Sequence, residues 1–278
     1  MTSQLNRDPN TDTAELNLLV ENFIYSFKKA LNSTPKPAPL ALHGASQQAA
    51  VTLTLNSALA ARIDHTLLRA DASRDEVRKL CEEARAHGFA TVCVNSAYVA
   101  YAAELLNGAS TFPIAVVGFP LGANLTQAKS FEAQEAIACG AREIDMVINI
   151  GALKSKDYGL AFNDIQAVVI ASAPYPVKVI LETSLLNDDE KVIACALAKA
   201  AGAAFVKTST GFGTSGASVA DVALMRKVVG SELGVKASGG IRTCADAVSM
   251  IEAGATRLGV SASIAIVTQK KTHQPKGY

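Results

Sequence analysis

The chain has little excess charge of either sign and no long apolar run. With 26 basic and 25 acidic residues in 278, its formal net charge is +1, which gives no electrostatic basis for binding nucleic acid or an anionic membrane. An acidic small-molecule substrate would therefore need a local positive site. No stretch of about 18 apolar residues is present, so we expect no membrane contact.

Cysteine and histidine are few, and their spacing argues against disulfide and metal chemistry. The five cysteines are odd in number and form no C-x-x-C pair, and the four histidines show no metal-ligand spacing. We therefore expect reduced thiols, no bound metal and no cofactor. The N-terminus carries acidic residues instead of a basic segment followed by an apolar core, which indicates a cytoplasmic protein.

The first 55 residues differ in character from the rest. The segment TAELNLLVENFIYSFKKAL has apolar residues at helical spacing, which predicts a helix with a packing or subunit-contact face. Its apolar residues are Leu16, Leu19, Val20, Phe23, Ile24 and Phe27. The prolines of NSTPKPAPL then predict an extended linker, because proline disfavours helix.

From about residue 58, short apolar segments alternate with amphipathic helical ones, a pattern typical of consecutive β-α units. The predicted strands are ARIDHTLL, FATVCVN, FPIAVVGFP, EIDMVINI, VKVILETS, FVKTSTG, GVKASGGI and RLGVSAS. Eight units in about 210 residues predict an α/β fold, a TIM (β/α)8 barrel. Periodicity also permits a doubly wound open sheet, although no G-x-G-x-x-G follows the first strand.

These patterns divide the chain into three parts. We predict an N-terminal extension over residues 1–55, the barrel over 56–268 and a polar tail over 269–278. Within the barrel, SRDEVRKLCEEARAHG predicts a helix that begins with a capping box of Ser73 and Glu76 and stops at Gly88. LTQAKSFEAQEAIACG and NDDEKVIACALAKAAG follow the same start and stop rules.

In barrels of this kind the chemistry lies at the C-terminal ends of the strands. The polar residues at predicted strand ends are Asp64, Thr66, Cys93, Asn95, Asp145, Asn149, Glu182, Thr183, Lys207, Thr210, Lys236 and Ser238. Lys178 opens its strand instead, so we predict a structural role for it at the opposite face.

Two lysines and one aspartate of this set predict a specific chemistry. Lys207 and Lys236 end adjacent strands and could share a cavity with Asp145. Burial and a second cation can lower a lysine pKa from about 10.4 to about 7, which makes the amine a nucleophile that forms a Schiff base. Asp145 would then transfer protons. The alternative is a purely structural buried salt-bridge network of the same three residues.

Glycines after the last two strands predict an anion site. Gly239 and Gly240 follow the seventh strand, and Gly259 and Ser261 belong to the eighth-strand segment. Loops after strands 7 and 8 often bind phosphate in these barrels, since glycines let backbone N–H groups approach an anion. Tight-turn geometry alone would also explain the Gly-Gly pair.

The chain resembles the deoxyribose-phosphate aldolase family over about residues 58 to 267. The similar segments are IDHTLL, TVCVNSAYV, VVGFPLGAN, EIDMVINIGALKS, VKVILETSLL, FVKTSTGFG and GVKASGGIRT. The resemblance implies a class I aldolase, acting without a metal, that reversibly splits 2-deoxy-D-ribose 5-phosphate into D-glyceraldehyde 3-phosphate and acetaldehyde. The expected setting is deoxyribonucleotide catabolism.

The resemblance also assigns residues by motif. It implies that Lys207 forms the Schiff base, that Lys236 tunes it and that Asp145 is the proton donor and acceptor. The implied substrate-pocket residues are Asp64, Thr66, Cys93, Phe119 and Thr210, and the implied phosphate site comprises Gly211, Gly239, Gly240, Gly259 and Ser261. The expected partners are sugar phosphates, aldehydes and further copies of the chain, as a dimer or a tetramer.

The sequence departs from the family pattern at two places, and its last residue raises a separate point. The eighth-strand motif usually has two adjacent serines, and here the second is Ala262, which bears on phosphate selectivity. The N-terminal extension is longer than the common form. The last residue is Tyr278, and some members use a terminal tyrosine in proton transfer, although an inert polar tail is the alternative.

Two other functions fit the same features. One is a barrel that binds a sugar phosphate without turnover, as a sensor or scaffold. The other is a lysine aldolase that acts on a different acceptor aldehyde, phosphorylated or not.

Overall fold

The computed structural model describes residues 56–269 and six exposed helical residues nearer the N-terminus, Leu18, Glu21, Asn22, Tyr25, Ser26 and Lys29. Within residues 56–269, eight parallel strands close into one barrel in chain order. The strands are β1 (Ile63–Leu67), β2 (Thr91–Val94), β3 (Phe112–Val117), β4 (Ile144–Val147), β5 (Val177–Ile180), β6 (Phe205–Lys207), β7 (Gly234–Ser238) and β8 (Arg257–Val260). This closure confirms the predicted TIM barrel and excludes the open sheet.

Helices connect successive strands and surround the barrel. They are α1 (Arg74–His87), α2 (Val99–Leu105), α3 (Thr126–Ala138), α4 (Ile150–Lys154), α5 (Tyr158–Ser172), α6 (Asp188–Ala200), α7 (Val219–Val229), α8 (Cys244–Glu252) and α9 (Ser263–Thr268). Short 3₁₀ turns lie at Ser96–Tyr98 and Thr183–Leu185, and a helical turn at residues 56–60 precedes β1.

The helix ends follow the predicted local chemistry. Ser73 and Glu76 form a reciprocal capping box at the start of α1, which ends at Gly88 with a left-handed φ of 67°. Asn187 and Glu190 form a second capping box, at the start of α6. Helix α3 begins after Leu125 without a side-chain cap, so the predicted start position is right but its capping differs.

All eight observed strands lie within the predicted segments, and each ends earlier than its segment. Strand β6, for example, ends at Lys207, whereas the predicted segment continues to Gly211. The chain turns there, with Gly211 at a φ of 91°, a conformation that favours glycine. The residues just past the strands therefore form the rim of the barrel.

The core consists of an apolar layer between the barrel and the helices and of the barrel interior, which has an apolar side and a charged side. Alternate strand residues, such as Val92, Met146 and Val206, are fully buried in the apolar layer beneath the helices. Inside the barrel, the β2–β3 side holds a small apolar cluster that includes Cys93 and Ile114. The remaining side, from β4 through β8 to β1, holds buried charged residues.

Several predictions fall on residues that the structure does not describe. The apolar residues of the N-terminal segment, its proline-rich continuation and Tyr278 are among them, and the three-part domain division stays a prediction. Among the helices of the described residues, none is long and apolar enough to cross a membrane.

Candidate active site

Asp145 on β4 is the centre of a buried charge network inside the barrel. Its Oδ2 accepts hydrogen bonds from Lys207 Nζ at 2.8 Å and from Lys236 Nζ at 2.6 Å. Its Oδ1 accepts a hydrogen bond from Lys178 Nζ at 2.9 Å. The predicted trio of Lys207, Lys236 and Asp145 is therefore brought together, with a third lysine on the same carboxylate.

Strand register explains why these side chains meet. Lys207 pairs with Lys236 across β6 and β7, and Asp145 pairs with Lys178 across β4 and β5. In a closed barrel such inward-facing positions converge on one axis, so charges from four strands share a small volume.

Further charges extend the network toward the N-terminal ends of the strands. Lys236 Nζ lies 2.5 Å from Asp64 Oδ2, and Arg257 Nη1 lies 2.7 Å from Asp64 Oδ1. Glu143 contacts Lys178 directly, and its Oε1 lies 3.3 Å from Arg257 Nη2. The network thus contains three carboxylates and four basic side chains.

The two catalytic candidates Lys207 and Lys236 differ in protonation. Burial, and secondly the neighbouring Lys236 ammonium, hold the pKa of Lys207 below its ordinary value, although Asp145 opposes the shift. Burial also acts to lower the pKa of Lys236, but Asp145 and Asp64 together raise it above its ordinary value. Lys236 is therefore the resident cation, and Lys207 is the amine that gives up its proton more easily.

The acid and the thiol of the site also have displaced pKa values. Burial acts to raise the pKa of Asp145, but Lys178, Lys207 and Lys236 outweigh it and hold that pKa well below the ordinary value. Asp145 is thus a carboxylate in the resting site. Burial raises the pKa of the nearby Cys93 thiol to about 11, so Cys93 is neutral at physiological pH.

Gly259 on β8 provides space for the Lys236 side chain. A Cβ at position 259 would lie 2.8 Å from Lys236 Cε and 2.6 Å from Ser238 Oγ, closer than atoms approach without a shift. The Ser238 hydroxyl donates a hydrogen bond to the Gly259 carbonyl at 3.2 Å. The predicted phosphate contact of Gly259 stays a prediction. Independently of phosphate, the close approach of Lys236 and Ser238 explains why a glycine is needed at this position.

The rim after β6 is fixed by Glu182. The Thr210 hydroxyl donates a hydrogen bond to Glu182 Oε2, and the Thr210 backbone N–H donates to the same oxygen at 3.2 Å. Phe212 N–H in turn donates to Thr210 Oγ1 at 3.0 Å. Thr210 therefore shapes the turn around Gly211, and its predicted substrate contact remains a prediction.

Phe119 and Phe212 meet at the rim. Their rings are edge-on with centroids 5.2 Å apart, and Phe119 also packs against the apolar cluster inside the barrel. The predicted pocket residue Phe119 thus belongs to an apolar wall next to the Gly211 turn.

The predicted phosphate loops lie next to each other. Gly239 and Gly240 have φ values of 88° and 78°, which favour glycine. Ala217 N–H donates to the Gly239 carbonyl at 3.0 Å, which joins the loops after β6 and β7. Ser261 is half-buried after β8, and Ala262 precedes α9 without a side-chain cap. Phosphate binding by these residues stays a prediction.

The side chains of Asp64 and Thr66 on β1 have partners within the protein. Both oxygens of Asp64 have cationic partners, and the Thr91 hydroxyl donates to its Oδ1 at 2.8 Å. The Thr66 hydroxyl donates to the Asp64 backbone carbonyl at 2.8 Å. These contacts tie Asp64 to the electrostatics of the site, while the implied substrate contacts of Asp64 and Thr66 stay predictions.

The sequence reasoning did not place three members of the network in the site. Lys178 was expected to be structural, and Glu143 and Arg257 were not considered as site residues. Glu143 lies two positions before Asp145 and Arg257 two positions before Gly259, on the same face of the strand, and Lys178 is the second residue of β5. For Glu143 and Arg257 a sequence signal exists, namely a charged residue two positions before a predicted site residue.

Comparison with known proteins places the chain in a family. The model of the DeoC/LacD family of aldolases matches residues 58–269. The chain belongs to this aldolase family. The matched span is the barrel, and it includes every residue of the charge network.

Individual relatives agree with this membership. A deoxyribose-phosphate aldolase of Lysinibacillus sphaericus is 59% identical over 206 residues, which are 74% of this chain and 92% of that protein. A crystal structure of a putative deoxyribose-phosphate aldolase from Coccidioides immitis is 42% identical with a TM-score of 0.81, covering 91% of this chain and 97% of that one.

A third relative is described as an oligomer. It is the deoxyribose phosphate aldolase from Aeropyrum pernix, whose structure is called tetrameric. It is 34% identical with a TM-score of 0.73, over 80% of this chain and 95% of its own. In the part of the present chain that the structure describes, no group of three or more His, Cys, Asp or Glu side chains is arranged to hold a metal. The expected lack of a metal stays a prediction.

Proposed function

We propose that this aldolase cleaves 2-deoxy-D-ribose 5-phosphate reversibly to D-glyceraldehyde 3-phosphate and acetaldehyde through a Schiff base on Lys207. The observation that carries the proposal is the shared Asp145 carboxylate, which holds Lys207 beside the Lys236 ammonium in a buried setting. The names of the relatives support the choice of substrate.

The reaction begins with the neutral Lys207 amine attacking the C1 carbonyl of the open-chain sugar. The carbinolamine then loses water, which requires a proton on its departing hydroxyl. Because Asp145 is a carboxylate and Lys236 an ammonium, the pair acts as one unit: Lys236 is the proton source and Asp145 the acceptor next to the reacting nitrogen.

The iminium then accepts the electron pair of the C2–C3 bond. The C3 hydroxyl loses its proton as the bond breaks, so D-glyceraldehyde 3-phosphate departs and an enamine of acetaldehyde stays on Lys207. Protonation of the enamine at C2 and hydrolysis of the iminium release acetaldehyde and restore the amine. Asp145, directly or through a water, is the proposed acceptor and donor for these steps.

The other predicted residues have supporting roles in this proposal. Phe119 would bound the apolar side of the pocket, and the loops containing Gly211, Gly239 and Gly240 would bind the phosphate through backbone N–H groups. Ala262 removes a hydroxyl at this end of the site, so the discrimination between phosphorylated and free sugar is proposed to be modest. The enzyme would serve deoxyribonucleotide catabolism in the cytoplasm.

Trapping and turnover together test the proposal. Borohydride with acetaldehyde should leave a covalent adduct on the peptide containing Lys207, and the purified protein should cleave 2-deoxyribose 5-phosphate faster than 2-deoxyribose. An adduct on another lysine would exclude Lys207 as nucleophile. Trapping without cleavage of either sugar would favour an aldolase with another acceptor, and neither trapping nor cleavage would favour a non-catalytic binder.

We also propose that the protein is a homo-oligomer, a dimer or a tetramer. The tetrameric relative supports this state. Light scattering at micromolar concentration tests it, and a mass equal to one chain would contradict it.

A further inference from the structure

Lys178 is buried between two carboxylates of the charge network. It is fully buried on β5, in register with Asp145, and its Nζ contacts both Asp145 and Glu143. The Phe205 ring lies 5.8 Å from Lys178 Nζ and 5.6 Å from the Arg257 guanidinium, on the side away from the strand ends. The apolar ring shields these charges from water, so their interactions with the network are weakly screened.

The charges around Lys207 balance only if Lys207 itself is neutral. The carboxylates are Asp64, Glu143 and Asp145, and the other cations are Lys178, Lys236 and Arg257. A proton on Lys207 would place four cations against three carboxylates in the buried interior of the barrel, which is electrostatically costly. Among these cations, Lys236 directly lowers the pKa of Lys207, and Lys178 shares the Asp145 carboxylate with both lysines.

We propose that Lys178 is a positioning residue for the reaction: its ammonium completes the balance of three cations against three carboxylates and so keeps Lys207 neutral. It also occupies Asp145 Oδ1, which leaves Oδ2 for Lys207 and Lys236. This inference rests on the proposed Schiff-base function.

The remaining titratable groups near Lys207 do not replace Lys178. On β2, Cys93 is neutral because burial raises its pKa to about 11. At the end of β5, Glu182 is bonded to Thr210 at the rim. The three carboxylates hold the pKa of Lys178 above its ordinary value although burial opposes them, so Lys178 remains a cation through the working pH range.

Removing one charge at a time should move the pKa of Lys207 in opposite directions. In Lys178→Met, two cations face three carboxylates, so a proton on Lys207 restores the balance and its pKa rises. In Glu143→Gln, three cations face two carboxylates, so the pKa of Lys207 falls further. The double variant removes a contacting ion pair and leaves two cations against two carboxylates, which again favours neutral Lys207.

The experiment is the pH profile of kcat/KM for 2-deoxyribose 5-phosphate, together with the pH profile of acetaldehyde trapping on Lys207. The acid limb should move up by about one pH unit or more in Lys178→Met, and down in Glu143→Gln. In the double variant it should return to within about half a unit of the wild type. Lys129→Met is the matched control, because Lys129 is another fully buried lysine paired with an aspartate, outside the barrel; its limb should not move.

The outcomes separate this inference from the proposed function. If the wild-type protein forms no adduct on Lys207, the proposed function fails. If the adduct forms but the limb of Lys178→Met coincides with the wild-type limb, or the double variant stays as displaced as Lys178→Met, only the role of Lys178 is wrong. Should Lys178→Met not fold, Glu143→Gln decides: an unmoved limb overturns the inference and a downward shift supports it.

Discussion

Two fully buried lysines of this aldolase each contact an aspartate, and their surroundings differ. Lys129, on α3 between the barrel and α5, lies 2.6 Å from Asp164 and donates to the Val147 carbonyl at 2.9 Å. Lys207, inside the barrel, shares Asp145 with Lys178 and Lys236. Burial lowers the pKa of both, but only Lys207 also has a neighbouring ammonium acting in the same direction.

The difference shows that burial of a lysine does not by itself indicate chemistry. A one-to-one pair such as Lys129 with Asp164 stabilises its own cation, and its removal leaves an unpaired buried charge. A lysine in excess over the carboxylates lacks this compensation, and its pKa falls, as it does for Lys207, the proposed nucleophile. The ratio of cations to carboxylates separates the structural lysine from the reactive one.

The largest effect is expected for Lys207→Met, which should lower kcat/KM by about 10⁴-fold or more, because the covalent step is lost. Its stability should not fall. The unfolded chain binds a proton at Lys207 below about pH 10.4, whereas the folded protein, with its lowered pKa, releases it, so the native lysine costs stability as pH falls from 10 toward neutral.

Chemical unfolding at a series of pH values measures this difference. The free energy of unfolding of Lys207→Met relative to that of the wild type should be larger at about pH 7 than at about pH 10, because Lys207 has the lower pKa in the folded state. Equal stability at both pH values would mean that Lys207 is protonated in the folded state, and would contradict its assignment as the neutral amine.

The next largest effect is expected for Lys236→Met. With this ammonium removed, Asp145 attracts a proton to Lys207, so kcat/KM near pH 7 should fall by about a hundredfold or more. Part of the loss should be recovered at alkaline pH, where Lys207 is neutral again. A rate that stays equally low at every pH would show that Lys236 acts in a step other than tuning the nucleophile.

The smallest effect on activity is expected for Lys129→Met. Leaving Asp164 buried without its cation should reduce the free energy of unfolding by about 3 to 5 kcal/mol. The activity per folded molecule should stay close to that of the wild type, as measured at a temperature where circular dichroism shows the variant folded. A loss of activity comparable to that of Lys236→Met would remove the distinction between the two lysines.

The sequence predicted the barrel because its signals are local. Strand segments rich in Val and Ile, the capping box at Ser73 and the stop at Gly88 are each determined by neighbouring residues. The strand-end criterion found Lys207, Lys236 and Asp145 for a similar reason, since the end of a strand can be read from the residues that follow it. The structure confirms that these three side chains meet.

Lys178, Glu143 and Arg257 were missed because their roles depend on distance across the barrel. The position of a residue along its strand gives the place of its Cα. The charged end of a long lysine or arginine side chain can lie several ångströms further along the barrel. Lys178 lies two positions before the register partner of Lys207 but directly in register with Asp145, because neighbouring strands are staggered around the barrel. The number of charges around Lys207 likewise depends on residues from six strands together, which the periodicity of any one segment does not reveal.

Gly259 sets a requirement on any attempt to transplant this site into another barrel. The chemistry needs only a few acidic and basic side chains, yet Lys236 can reach both of its carboxylates because the neighbouring strand has no side chain at that point. A graft that copied the charged residues and left valine on that strand would displace Lys236. A transferable description of this site must therefore include an empty position as one of its components.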